Sequence, residues 1–77
     1  MEDRKVFCKL AVLMAERDPH LSQRQLAREL ELSPTTINQL FGNKFKRIDV
    51  ETVEKLCKYF QCEIGELFIL KPVKNEG

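Results

Sequence analysis

Thr35, Thr36, Asn38 and Gln39 carry hydroxyl or amide side chains, and residues 33–43 around them hold no charged group. A helix face that merely meets solvent usually carries Lys and Glu. Neutral polar groups that both donate and accept hydrogen bonds suit a partner offering donors and acceptors side by side. Nothing comparable points to covalent chemistry. The single histidine, His20, sits in a turn with no cysteine or acidic partner at relay or metal-ligand spacing. Cys8, Cys57 and Cys62 form an odd set without a CxxC pair, so they read as reduced thiols used as small buried hydrophobes. No glycine-rich phosphate loop is visible. The expectation is a protein that is not an enzyme and holds no metal and no cofactor.

The segments that must position these residues have helical periodicity. Val6, Leu10, Leu13 and Met14 are spaced for one face of a first helix, and Asp18-Pro19 ends it, since a residue before proline is pushed out of helical geometry. Ser22-Gln23-Arg24-Gln25 has the spacing of a capping box and starts a second helix, with Leu26, Ala27 and Leu30 as its apolar stripe. Glu31 and Leu32 alone separate it from the next start, Ser33-Pro34, where serine is the N-cap and proline the first helical residue. The third helix turns Ile37, Leu40 and Phe41 inward and stops at Gly42-Asn43. Asp49 is expected to cap a fourth helix with Val50, Val53, Leu56, Cys57 and Phe60 inward, and Glu63 a short fifth with Ile64, Leu67 and Phe68. The stretch Leu67 to Leu70 also suits extended backbone, and residues 73–77 read as frayed.

Two short helices joined by a tight turn form a helix-turn-helix, whose second helix enters the major groove of DNA. With Ile37, Leu40 and Phe41 inward, the opposite side of the third helix carries Thr35 and Gln39, with Asn38 on its flank. Amides and hydroxyls there can read base edges. Charge supports the orientation. Residues 22–47 hold five basic side chains (Arg24, Arg28, Lys44, Lys46, Arg47) against Glu29 and Glu31, a net +3. Residues 48–67 hold Lys55 and Lys58 against five acidic ones, a net −3. A near-neutral chain is thus split into a basic half suited to phosphate and an acidic half turned away.

The stretch Leu21-Ser-Gln-Arg-Gln-Leu-Ala-Arg-Glu-Leu-Glu-Leu-Ser-Pro-Thr-Thr-Ile-Asn-Gln-Leu, followed by Asn43-Lys44 and by Asp49-Val-Glu-Thr-Val-Glu-Lys-Leu-Cys, resembles the Cro/repressor-type (Xre) helix-turn-helix family over residues 5–69. The resemblance implies an all-α, five-helix, lambda-repressor-like domain, here residues 1–70 with a short tail at 71–77. It also implies a double-stranded DNA operator, palindromic and bound by a homodimer. Carried over by position, Gln23 holds a phosphate from the start of the second helix. Pro34, Thr35, Thr36 and Gln39 lie over base edges, while Asn38, Asn43, Lys44, Lys46 and Arg47 contact phosphates. Where family members often place an acidic residue, Asn and then Gly, this chain has Phe41-Gly42-Asn43.

Phe45 is expected to anchor its loop to the core. Phe68, Ile69 and Leu70 are the expected dimer surface, because three consecutive large apolar residues cannot all face one small core. The longest apolar run, residues 10–15, falls far short of the roughly 20 residues a membrane span needs, and the N-terminus has no signal-peptide core. The expectation is a cytoplasmic transcriptional repressor. The rival reading is an antitoxin or protein-interaction module on the same fold.

Overall fold

The computed structural model describes residues 3–73. In chain order these form β1 (Arg4–Cys8), α1 (Leu10–Arg17), α2 (Gln23–Leu30), α3 (Pro34–Phe41), α4 (Val50–Phe60), α5 (Ile64–Leu67) and β2 (Phe68–Pro72). The five expected helices are present, but the fold is not all-α. β1 and β2 pair antiparallel in the register Arg4–Pro72, Lys5–Lys71, Val6–Leu70, Phe7–Ile69 and Cys8–Phe68.

The helix starts follow side-chain chemistry. The Ser22 hydroxyl accepts from the Gln25 N–H at 3.0 Å, and the Ser33 hydroxyl accepts from the Thr35 N–H at 3.1 Å. Each satisfies a donor that the first helical turn leaves without a partner. Pro34 is the first residue of α3. Between α2 and α3 the chain turns through Glu31 in left-handed geometry, φ 55°, and the Leu32 N–H donates back to the Ala27 carbonyl at 2.8 Å. That closes the turn in the few residues the sequence allows. Ala27 is buried beside Leu26, and α2 packs directly on α3 through Ile37 and Leu40. The core is completed by Cys8, Leu10, Met14, Leu56 and Leu67.

Several expected inner positions lie elsewhere. Val6 is on β1, not the first helix, and is 53% exposed. The sheet places it beyond the core end of the strand. Phe41 is 37% exposed, because α3 ends there and its last turn overhangs the core. Val50 is 73% exposed, while Thr52 and Leu56 are the buried residues of α4. Thr52 is tolerated inside because its hydroxyl donates to the Asp49 carboxylate, which holds that carboxyl below its usual range. Asp49 therefore shapes the start of α4 through Thr52 and makes no side-chain bond to a helix N–H. Glu63 likewise makes none at α5, and Ile64 is exposed. The domain also runs past residue 70, since β2 continues to Pro72 and the Val73 N–H donates to the Asp3 carbonyl at 2.9 Å. The rest of the expected tail, residues 74–77, lies outside the described residues. Among the described residues no helix is long and apolar enough to cross a membrane.

The end of α3 is made by Asn43. Gly42 keeps an ordinary φ of −89°, whereas Asn43 takes the left-handed conformation at φ 57°, which asparagine tolerates better than most residues. Its Oδ1 accepts from the Cys8 N–H at 2.7 Å, and its Nδ2 donates to the Cys8 carbonyl at 3.2 Å. One amide thus satisfies both outward backbone groups of a strand residue 35 positions away. Asn43→Ala should destabilise the domain by about 1–3 kcal/mol, the cost of leaving such groups unpaired. Asn43→Gly should cost less, because glycine accepts the backbone angle. Chemical denaturation of the three proteins measures this, and equal stability would remove the tie from the fold.

Candidate nucleic-acid interface

α3 stands out from the body with Ile37 and Leu40 buried beneath it and Pro34, Thr35, Asn38 and Gln39 exposed. Thr36 is half-buried. Two open grooves flank the helix. The first is lined by Gln23, Arg24, Pro34, Thr35 and Asn38, and across it the Asn38 amide donates to the Gln23 side-chain oxygen at 3.3 Å. That bond draws the start of α2 to the exposed side of α3. The second groove lies on the other flank, where Thr36 and Gln39 face Phe45, Arg47 and Ile48 of the following loop, with Asp49 at its end.

The expected site residues therefore fall into one continuous surface, with two adjustments. Asn43 does not join it through its side chain, which is taken up by Cys8. Arg24 does join it, beside Gln23 in the first groove. Its position directly after Gln23, within the first turn of α2, is the sequence signal for that placement, and charge balance alone does not single it out. Lys44, Lys46 and Arg47 are exposed, and none of the three has an acidic partner at ion-pair distance among the described residues. Phe45 anchors their loop, its ring meeting the edge of Phe68 at 5.9 Å and 70°.

Some charged groups away from α3 have partners. The Tyr59 hydroxyl donates to Glu29 at 3.2 Å, joining α2 to α4, and Arg17 lies 4.4 Å from the centre of the Tyr59 ring. Lys55 pairs with Glu51 at 3.5 Å.

Residues 9–72 match the family model of the Cro/C1-type HTH DNA-binding domain. The chain belongs to that family. Among solved structures, the crystal structure of the transcriptional regulator VanUg superposes with a TM-score of 0.72 at 20% identity, covering 95% of this chain and 93% of that one. At that identity the likeness is one of fold. No curated protein matches the chain. The match spans all five helices, including α2, the Glu31–Ser33 turn and α3.

The cysteines stand apart from this surface. Cys8 is buried, and burial pushes its thiol up. Cys62 is pushed up to about 11, by burial first and then by its neighbour Cys57. A thiol so raised is protonated near neutrality and a poor nucleophile. Among the described residues no group of three or more His, Cys, Asp or Glu side chains is placed to hold a metal ion. Alkylation of Cys62 by iodoacetamide, followed by mass spectrometry, should keep accelerating to about pH 11. A rate that levels off near the ordinary thiol value of 9.0 would contradict the shift.

Proposed function

We propose that this domain is a sequence-specific double-stranded DNA-binding transcriptional regulator, a repressor, that sets α3 into the major groove. The observation that carries the reading is the neutral polar face of α3 standing between two grooves, one holding Gln23 and Arg24 and the other Arg47. In this reading Gln39 makes a bidentate contact with an adenine edge, and the Thr35 methyl packs on a thymine methyl. Pro34 and Thr36 shape the contact on either side. Gln23, Asn38 and Arg24 hold one phosphate strand from the first groove, while Lys44, Lys46 and Arg47 hold the other. Repression needs only that the bound protein exclude other proteins from the same DNA, which suits a binding module that is not an enzyme and acts in the cytoplasm.

A single reading helix covers few base pairs, so selection among genomic sites calls for two half-sites about one helical turn apart. The reading therefore includes a homodimer on a palindromic operator. Of the three residues expected to form its interface, Phe68 and Ile69 are half-buried, and Leu70 is 58% exposed directly opposite exposed Val6. This apolar pair at the sheet is the contact surface that suits a second copy. Sedimentation at micromolar concentration should show a dimer that Leu70→Glu dissociates, and a dimer unaffected by the substitution would rule the surface out.

On an operator selected from a random DNA library, Gln39→Ala should cost about 1–3 kcal/mol while binding to random DNA stays unchanged. Equal losses on both would mean that Gln39 does not face the bases. Replacing Lys44, Lys46 and Arg47 together with alanine should weaken binding to every sequence. The slope of log affinity against log salt should become shallower by about 0.9 for each phosphate no longer neutralised. An unchanged slope would take the loop off the DNA.

A further inference from the structure

The sheet lies against the loop that follows α3, and the groove between them is lined by Lys5, Val6, Phe45, Lys46, Arg47 and Ile48. It shares Phe45, Arg47 and Ile48 with the groove beside Gln39, so the two run into each other. Resting on the DNA-binding reading above, we propose that this groove is a second phosphate site on the same duplex, in which Lys5 of β1 joins Lys46 and Arg47.

Three observations favour a polyanion here. The groove brings together three cations and no acid. Asp49 lines only the neighbouring groove, where the Thr52 hydroxyl donates to it.

The outer edge of β1 supplies a backbone donor. Cys8 turns its N–H and carbonyl outward to Asn43. Backbone direction alternates along an antiparallel strand, so Val6, two residues earlier, turns its N–H toward the same edge. Its carbonyl turns to that edge as well, and Val6 as a residue lines the groove.

Finally, Lys5 stands directly opposite Lys71 in the strand register. Like charges in that position work against pairing. Lys71 is drawn over the Phe7 ring at 3.8 Å, while Lys5 reaches the groove. A phosphate between Lys5, Lys46 and Arg47 turns that repulsion into binding. A second copy of β1 laid along the same edge would set the same cations against each other, the juxtaposition that interfaces avoid.

The test uses the whole chain and a random-sequence DNA duplex, with affinity measured across a series of salt concentrations. Lys5→Ala should weaken binding and make the log–log salt slope shallower by about 0.9. Lys5→Arg should keep the wild-type slope. Lys71→Ala, which removes an equal charge from the same sheet, should leave the slope in place. A Lys5→Ala slope equal to wild type overturns the site, and so does equal flattening by Lys71→Ala, which would reduce the effect to net charge. Sedimentation of Lys5→Ala should match wild type. A changed oligomeric state would assign the edge to a second copy and overturn the proposal. If wild type binds no duplex at any salt, the DNA-binding reading itself fails, a result distinct from a silent Lys5.

Discussion

The side-chain amide of Asn43 is the tie on which the arrangement of the domain depends. It sits where α3 must stop, takes the left-handed backbone that stops it, and holds both polar groups of Cys8 with its own donor and acceptor. The same residue both terminates α3 and docks the strand. Without that pairing the outer edge of β1 would face the loop with two unmet backbone groups, a cost that buried or half-buried chain rarely bears. Because the loop is held at Asn43 and again at Phe45 by Phe68, Lys44, Lys46 and Arg47 project from fixed backbone. Cations presented this way lose less freedom on meeting a ligand than cations on a loose loop.

A second constraint is the division of charge. α3 carries no charge, and the grooves beside it bring in Arg24 on one flank and Arg47 on the other. Two carboxylates away from α3 have partners, Glu29 with Tyr59 and Glu51 with Lys55. Surface pairs of this kind add little to stability.

Much of this is legible in the sequence where the controlling interaction is local. Ser22 and Ser33 announce their helices because a cap acts within three residues, and both hydroxyls make the expected bonds. The outward face of α3 follows from helical spacing between two clear boundaries, which is why Thr35 and Gln39 are both exposed, Thr35 beside Gln23 and Gln39 on the other flank. The sheet is half legible: the extended stretch expected near Leu67 to Leu70 is β2, but its partner β1 is not foreseen. Val6 fits the spacing of Leu10 and Met14 as well as it fits a strand, and the choice is made by β2, more than sixty residues further along. Asn43 has the look of a surface residue for the same reason, since nothing near it in sequence reveals Cys8. Extending the apolar stripes to the first residue of α4 and of α5 puts Val50 and Ile64 inward, but there the side chain still points off the end of the core. That α4 buries a threonine instead is hidden by its dependence on Asp49.

β1 and β2 are the first and last elements of the domain, and the bond from Val73 to Asp3 brings its two ends side by side. In kinetic terms this sheet has the highest contact order in the molecule. Closing a loop through every helix costs entropy before any strand bond repays it, whereas each helix cap and the α2–α3 pairing need only nearby residues. The helices are therefore the part that assembles early, and the sheet is the clasp that shuts afterwards.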